Sequence, residues 1–391
     1  MPALWTYPWT LFEGGIDKSL ARIDDSGFDA INVASHYHSV RSLEPRNDSK
    51  LFRKRAGGCY FEPKADRFAE TTIEPIQNDI EETEDPLRDI VDAASDRGLS
   101  VNAWTVCLHN TRLGAANPQY RIESAFDDAH DHAFCPSHPE VREYFAAVVA
   151  SVVDCGVADI QLESVGYPSV FHSHGVEYGH DKRQVLTSPT EELLFSQCFC
   201  DGCAAAAESH TVDFDIAQTT VRELVSESLE TPHSDPISLD ALVQEHDDLA
   251  DLFDFRADVV TEFVERLADA AGKSTLTYYD MPTPLGTAPG SGWASGIQYS
   301  ALEPHLDRVT ALCYVSDPAV ASDLIRTFQR TTHLPVDVGL TLDPSLLSSE
   351  AELRTMVDSV RSETDGRIFV YHHSLLTDAQ FGWLEDVFVD R

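Results

Sequence analysis

The chain repeats one arrangement of apolar and polar positions: an amphipathic helical segment, a glycine, and a short run rich in β-branched and aromatic residues. Glycine adopts the left-handed conformation that ends a helix before the chain turns into a strand. The pattern therefore predicts five helix–strand units. They occupy Ile16–Ser26, Gly27 and Phe28–Ala34; Pro86–Arg97, Gly98 and Leu99–Val106; Pro139–Cys155, Gly156 and Ala158–Leu162; Val259–Ala271, Gly272 and Ser274–Tyr279; and Glu350–Thr364, Gly366 and Arg367–Tyr371.

Three further apolar runs complete the predicted strands: Ala3–Tyr7, Val309–Val315 and Val336–Leu342. Strands that alternate with helices are typical of βαβ units and a parallel sheet. Eight strands favour a closed (β/α)8 TIM barrel over a doubly wound sheet, and no G-x-G-x-x-G motif follows the first strand. Capping boxes are predicted at Ser137-x-x-Glu140, Ser188-x-x-Glu191 and Ser349-x-x-Glu352.

Two connections are longer than the repeat requires. Residues 40–83 follow the second strand, and residues 165–255 follow the fourth. Long loops after barrel strands lie on the catalytic face and shape the pocket. We expect one domain, 1–391, with a long elaboration after strand four that carries a cysteine-rich helix.

Composition adds a strong charge imbalance. The 391 residues include 66 acidic and 28 basic ones, only six of them Lys, and the net charge is −38. Acid spread over the predicted helices, with 42% apolar residues, indicates a folded, halophilic protein with a sizeable core. Such a surface disfavours nucleic acids and anionic membranes as partners. With no signal-peptide pattern and no apolar run of membrane-spanning length, we expect a cytoplasmic protein, and a homo-oligomer is left open.

Eight cysteines without a secretion signal favour reduced thiols or a metal site over disulfides. Cys198-x-Cys200-x-x-Cys203 places three thiols within two helical turns, and tetrahedral zinc needs a fourth ligand from elsewhere. Three unmetallated core cysteines are the alternative, because buried free thiols are common.

The surrounding sequence resembles the family-42 β-galactosidases and related uncharacterised glycosyl-hydrolase-like barrels. The resemblance covers roughly residues 131–205: Cys135-Pro-Ser-His-Pro-Glu-Val-Arg, a helix, a strand that ends in Glu163, and the three cysteines. In that family, such cysteines form a structural zinc site, and the glutamate that ends strand four is the general acid/base. The resemblance implies Cys135, Cys198, Cys200 and Cys203 as zinc ligands and Glu163 as the acid/base.

Two positions depart from the family. Leu162 precedes Glu163 where the family has Asn, and the seventh strand with its following residues, Val338–Asp343, contains no glutamate to serve as nucleophile. The partner carboxylate is therefore predicted from strand ends. Asp280 follows strand five directly and is favoured over Asp343, which can instead cap the turn at Pro344; Glu13 is third.

Other polar and aromatic residues also lie at or just beyond predicted strand ends. Aromatic rings beside carboxylates suit a sugar, whose apolar faces stack while its hydroxyl groups form hydrogen bonds. A single histidine at a strand end is more often a structural residue, so the set as a whole carries the argument. The predicted substrate-binding residues are Trp9, Glu13, His36, His38, Trp104, His109, His174, Tyr314 and His372.

The sequence thus predicts a glycosidase that uses carboxylate acid/base catalysis on a small carbohydrate, with a structural zinc site. Two alternatives stay open. His36-x-His38, with His172-x-His174, His180, Asp280 and His372, is also compatible with a metal-dependent barrel hydrolase, lyase or isomerase. A carbohydrate-binding barrel without catalysis is the second alternative.

The charge excess predicts that stability depends on salt. Carboxylates on one surface repel each other, and the Debye length falls to about 3 Å at 1 M salt. We expect the free energy of unfolding to rise by several kcal/mol between about 0.1 M and 2 M potassium chloride. Denaturant unfolding curves at both concentrations measure this, and equal stability at the two would contradict it.

Overall fold

The computed structural model describes residues 2–47, 50–170, 184–185, 188–230, 238–281 and 291–389. Eight parallel strands form a closed barrel, because the first strand pairs with both the second and the eighth. The predicted (β/α)8 barrel is thereby confirmed. Barrel strands 1 to 8 are Pro2–Thr6, Ala30–Tyr37, Ser100–Val106, Asp159–Glu163, Thr275–Asp280, Arg308–Leu312, Val336–Thr341 and Ile368–Tyr371.

Helices surround the barrel and connect its strands. Four of the predicted glycines, at positions 27, 98, 156 and 272, have positive φ angles between 65° and 86°, as a helix end before a strand requires. The helices of the described residues are Pro8–Glu13, Ile16–Asp25, Pro86–Ser95, Thr111–Ala116, Pro139–Asp154, Pro189–Phe195, Asp201–Ala207, Phe214–Glu230, Leu239–Glu245, Asp247–Ala271, Tyr299–Leu302, Pro318–Thr331, Glu350–Glu363 and Asp378–Phe388, with 3-10 turns at Pro118–Tyr120, Ser291–Ser295, Glu303–His305 and His373–Leu375. None of these helices is long and apolar enough to cross a membrane.

Five short β elements of the described residues are additional to the eight barrel strands. Val40–Leu43 and Phe52–Arg55 form an antiparallel hairpin within the first long connection, and Gly58–Cys59 pairs antiparallel with barrel strand 2. A second hairpin, Arg121–Glu123 with Ala129–Phe134, follows barrel strand 3 and was not predicted. It brings Cys135 to the same end of the barrel as the long elaboration.

Two predicted local features need correction. Barrel strand 2 ends at Tyr37 rather than Ala34, and a register shift between Ala34 and His36 lies in the added part. The capping box at Ser137 does not form, because the helix begins at Pro139 and the Ser137 hydroxyl contacts other groups. The capping box at Ser188 forms with both of its hydrogen bonds.

The inside of the barrel is charged at the amino ends of the strands. Arg367 binds Asp159 at 2.6 Å and Asp337 at 2.7 Å, and Arg308 binds Asp337 at 2.6 Å. Buried carboxylates need such partners, since an unpaired buried charge is strongly destabilising. This network closes the base of the barrel, so a ligand must enter at the carboxyl ends of the strands.

Candidate active site and metal centre

Glu163 is the last residue of barrel strand 4, and its side chain points into the barrel. Side chains alternate along a strand, and Asp159 and Gln161 on the same face both contact residues of the interior. The indole of Trp104, on barrel strand 3, donates a hydrogen bond to Glu163 Oε2 at 2.6 Å. The carboxyl ends of barrel strands are where this fold carries catalytic groups.

The surroundings of Glu163 favour its protonated form. Burial raises the pKa of the carboxyl group, and the hydrogen bond from Trp104 lowers it by a smaller amount. Burial also raises the pKa of each of six neighbouring side chains, and the negative charge of Glu163 raises each of these pKa values further. The six side chains are Tyr37, Tyr278, Tyr279, Tyr314, Tyr371 and Cys107. A carboxyl group that keeps its proton to higher pH is suited to general acid catalysis.

Aromatic rings line the carboxyl end of the barrel around Glu163. We call this lining the aromatic mouth: Tyr7, Tyr37, Trp104, Tyr314, Tyr371 and His372. The Tyr37 and Trp104 ring centres are 4.5 Å apart, and those of Tyr314 and Tyr371 are 6.0 Å apart. Glu163, Tyr314 and Tyr371 keep part of their surface accessible, so a ligand can reach them.

Three tyrosines of the aromatic mouth were missed by the sequence analysis. The ring centres of Tyr7 and Tyr37 are 5.6 Å apart, and Tyr7, Tyr37 and Tyr371 each affect the pKa of the other two. Each is the last inward-facing residue at its strand end, and period-two alternation read to the end of each strand would have identified Tyr7 and Tyr371. Tyr37 was hidden by the register shift in barrel strand 2.

His372 is a neutral donor within the aromatic mouth. Its ring centre lies 4.1 Å from that of Tyr7 and 6.0 Å from that of Trp104. Burial, followed by the charge of Arg46, holds its pKa well below the usual range. Nδ1 accepts a hydrogen bond from the Ser374 backbone N–H at 3.2 Å, so the proton of the neutral ring is on Nε2. Nε2 is buried and has no hydrogen-bond partner among the described residues, which leaves a donor for a ligand.

The predicted substrate-binding residue His36 lies away from Glu163. His36 lies outside the barrel interior, where Nδ1 bonds the Val106 carbonyl at 2.7 Å and Nε2 lies 3.2 Å from the Tyr144 hydroxyl. Burial lowers its pKa to about 4. His36 therefore does not reach the aromatic mouth, because the register shift turns it towards the helix Pro139–Asp154.

His38 and His109 lie beside the aromatic mouth. The His38 ring stacks on Tyr37 at 4.2 Å and on His109 at 4.8 Å. Trp9 is fully buried and donates its indole N–H to Glu44 at 2.9 Å. Its ring stacks on Tyr7 and so supports the aromatic mouth without lining its accessible surface. His172, His174 and His180 lie outside the described residues.

The predicted partner carboxylates do not face Glu163. Tyr279 points into the barrel, so the next residue, Asp280, points outward. There it accepts a hydrogen bond from the Tyr299 hydroxyl at 2.6 Å. Burial raises the pKa of Asp280 to about 6, but neither Asp280 nor Glu163 contributes to the other's pKa.

Asp343 and Glu13 are both held in contacts of their own. Asp343 accepts hydrogen bonds from the backbone and side chain of Ser345, which lower its pKa. Glu13 pairs with Arg53 at 2.6 Å. Roles for these three acids in catalysis stay predictions, and their placement does not favour them.

The four predicted metal ligands converge. The Sγ atoms of Cys135, Cys198, Cys200 and Cys203 all lie within 4.8 Å of one another and are buried. Tetrahedral zinc with bonds of about 2.3 Å places thiolates roughly 3.8 Å apart, and the Cys135–Cys203 separation is 3.4 Å. The donor set therefore fits a structural zinc ion, and it is the one metal-compatible group among the described residues.

Hydrogen-bond donors surround the four sulfurs. The Glu123 backbone N–H lies 3.5 Å from Cys198 Sγ, the Ser137 hydroxyl 3.2 Å from Cys203 Sγ, and His138 Nε2 3.4 Å from Cys200 Sγ. Outer contacts of this kind orient ligands and tune a metal site. Bonds from the neighbouring cysteines, and then from His138, lower the pKa of Cys200.

The cysteine cluster also holds the loop that follows Glu163. Tyr167 lies four residues after Glu163, and its hydroxyl is 2.8 Å from Ser137 Oγ and 3.7 Å from Cys203 Sγ. Between them, Ser164 has a positive φ of 58°, an uncommon conformation for a residue other than glycine. The cluster thus anchors a sharp turn directly beyond the candidate acid.

We predict that Glu163→Gln stabilises the protein as pH rises. Because the folded-state pKa of Glu163 is raised, its protonated form favours folding below the ordinary glutamate pKa, and this contribution is lost as pH rises through the folded-state pKa. Glutamine has no charge to bury, so the difference in free energy of unfolding between variant and wild type should grow above about pH 4.5.

Glu143→Gln is the matched control, with the opposite sign expected. The hydrogen bond from Arg266 lowers the pKa of Glu143, so its replacement should destabilise the protein above the ordinary glutamate pKa. Denaturant unfolding of both variants between about pH 4 and pH 8 checks this. A Glu163→Gln variant with no pH-dependent gain would contradict the buried carboxyl described above.

We predict that Cys200→Ser removes bound metal and stability together. Structural zinc contributes directly to folding, and a fall in Tm of roughly 5 °C corresponds to about 4 kcal/mol in a chain of this length. Elemental analysis and thermal unfolding measure both quantities. Cys155→Ser is the control, because Cys155 is buried outside the cluster. Wild-type protein purified without chelator that contains no metal would contradict the prediction.

Comparisons with known proteins support the fold. No family model and no curated protein matches the sequence. Among solved structures, the β-galactosidase of Marinomonas ef1 matches with 11% identity and a TM-score of 0.59, covering 100% of this chain and 59% of that one. The β-galactosidase of Bacillus circulans sp. alkalophilus has 11% identity and a TM-score of 0.56 over 100% and 56% of the chains.

The α-L-fucosidase isoenzyme 2 of Paenibacillus thiaminolyticus also matches, with 13% identity and a TM-score of 0.55 over 96% of this chain and 46% of that one. The chain spans about half the length of these structures. At such low identity, the likeness concerns the barrel alone. The chain therefore has the barrel fold that these glycosidases share.

Proposed function

We propose that this protein is a glycoside-hydrolase-like enzyme in which Glu163 donates a proton to the glycosidic oxygen of a small carbohydrate. The observation that carries the proposal is a single, partly accessible carboxyl group with a raised pKa at the end of barrel strand 4, within the aromatic mouth. The barrel fold shared with a β-galactosidase and an α-L-fucosidase supports the same reaction class.

The aromatic mouth would recognise an uncharged sugar ring. Apolar faces of a sugar stack on aromatic rings, and the phenol hydroxyls of Tyr314 and Tyr371 can bond its hydroxyl groups. His372 would donate from Nε2, the buried donor for which the described part of the chain offers no partner. A sugar oxygen that accepts a hydrogen bond from Nε2 removes the free-energy cost of an unsatisfied buried donor. A sugar with a hydroxyl group at this position would therefore bind more tightly.

A glycosidase also needs a second catalytic group, which acts as nucleophile or activates water. Retaining glycosidases place two carboxyl groups about 5–5.5 Å apart and inverting ones about 6.5–9.5 Å apart. Asp280 faces Tyr299 outside the barrel interior, and Asp343 caps a turn. These placements favour a carbohydrate-binding barrel without catalysis as the second candidate function.

The metal-dependent alternative receives less support. It required His36, His38 and His372 to approach one point. His36 contacts Tyr144, outside the interior, and His38 stacks on Tyr37. His372 packs against Tyr7 with its ring tilted by 43°. We propose zinc as a structural ion in the cysteine cluster, where it would hold the loops after barrel strands 3 and 4 together.

Glu163→Gln tests the proposal through leaving-group dependence. A proton donor matters most when the leaving group is a poor one, and general acid catalysis contributes about 10²–10⁴-fold. We expect turnover of methyl glycosides to fall by about that factor, while nitrophenyl glycosides of the same sugar, whose leaving group needs no proton, lose much less. Release of sugar from a panel of both glycoside types measures this.

Asp343→Asn is the matched control, and it should keep near-full activity. A Glu163→Gln variant with unchanged turnover of the methyl glycosides would remove Glu163 from the mechanism. Wild-type protein that binds sugars, measured by calorimetry, but cleaves none of them would favour the carbohydrate-binding barrel. A large loss in Asp343→Asn would restore Asp343 as the partner carboxylate.

A further inference from the structure

Arg256 is a buried cation that has no acidic partner among the described residues. Its side chain, on the helix Asp247–Ala271, is 0% exposed. Nη2 donates a hydrogen bond to the backbone carbonyl of Cys198 at 2.7 Å, whereas Nε and Nη1 have no hydrogen-bond partner in the part of the chain that the structure describes. The nearest acids along the same helix, Asp254 and Asp258, are exposed to solvent.

This environment is unfavourable for an arginine unless a negative charge lies nearby. The guanidinium group stays protonated in proteins, and a buried charge is tolerated only when it is paired. The ring of Tyr167 lies over the guanidinium at 4.3 Å, which gives a cation–π contact but no counter-charge. Among the described residues, no carboxylate forms an ion pair with Arg256.

The cysteine cluster is positioned to supply the missing charge. Cys198, whose carbonyl binds Arg256, is itself one of the four converging cysteines. Tyr167 lies between the two sites, with its ring over Arg256 and its hydroxyl 3.7 Å from Cys203 Sγ. Four thiolates around one zinc ion carry a net charge of two minus, buried beside a cation.

We propose that Arg256 is the counter-charge of a zinc–tetrathiolate centre and sets the affinity of that centre for metal, an inference that rests on the zinc site proposed above. The arginine stabilises the metal-bound, doubly negative form more than the metal-free form. By linkage, the metal in turn stabilises the burial of Arg256, and with it the packing of the helix Asp247–Ala271 against the cluster. Arg256 is a positioning and charge-balancing residue, and it does not ligate the metal.

Charge can be separated from shape with two substitutions. Arg256→Met keeps a long apolar side chain and removes the charge, whereas Arg256→Lys keeps the charge. Arg266→Met is the matched control, on the same helix, where Arg266 pairs with Glu143 at the surface. Zinc affinity is measured on the full chain by competition with a chromophoric chelator, and cobalt substitution reports thiolate coordination through its charge-transfer absorption.

We expect Arg256→Met to weaken zinc binding by about 10- to 100-fold, the range found for groups that surround metal ligands, and to preserve the cobalt absorption of the bound form. Arg256→Lys should stay within about threefold of wild type, as should Arg266→Met. The increase in Tm that zinc produces should also be smaller in Arg256→Met than in wild type. This difference stays measurable when the variant is less stable overall.

Equal zinc affinity in wild type and Arg256→Met would overturn the inference and leave the zinc site intact. Arg256→Lys as weak as Arg256→Met would also overturn it, because shape rather than charge would then matter. Wild-type protein that binds neither zinc nor cobalt would overturn the proposed zinc site, and this inference with it.

Discussion

The hydrogen bond from the Trp104 indole to Glu163 joins barrel strands 3 and 4 at the point where the interior opens to solvent. This hydrogen bond fixes the orientation of the Glu163 carboxyl group. The surrounding tyrosines keep water away from that group, and its burial raises its pKa. The charged base of the barrel makes this arrangement possible, because Arg367 and its aspartates close the opposite end. The accessible part of the barrel interior and the raised pKa of Glu163 therefore lie at the same end of the barrel, where we propose that a sugar binds.

The cysteine cluster stabilises the same end from outside. It gathers the segment after barrel strand 3, which supplies Cys135, and the elaboration after barrel strand 4, which supplies the other three cysteines. Tyr167 connects this cluster to the turn directly after Glu163. Loss of the ligand set would thus release the turn at Ser164 as well as the elaboration. We infer that the cluster acts on the candidate active site through the position of Glu163 and not through any contact with a sugar.

Short-range signals in the sequence predicted much of the fold and part of the site. Glycine after an amphipathic helix identified helix ends, and the cysteine spacing, with the resemblance, identified four side chains that converge. The directions in which side chains point at the strand ends depend on long-range geometry, which local sequence patterns do not contain. A register shift in barrel strand 2 turned His36 outward and brought Tyr37 into the aromatic mouth. Successive side chains of a strand point to opposite faces, so Asp280 points out of the barrel because Tyr279 points into it. Only the pairing of the strands reveals which face of barrel strand 5 lines the interior.

The most direct test of the account is a titration of the Glu163 carboxyl group itself. Carbon-13 NMR of protein labelled at glutamate side chains, with Glu163→Gln used to assign the resonance, measures its pKa in the folded protein. The account predicts a pKa clearly above the ordinary value of 4.5, because burial outweighs the hydrogen bond from Trp104. A pKa at or below 4.5 would contradict the central claim that the aromatic mouth holds Glu163 ready to donate a proton.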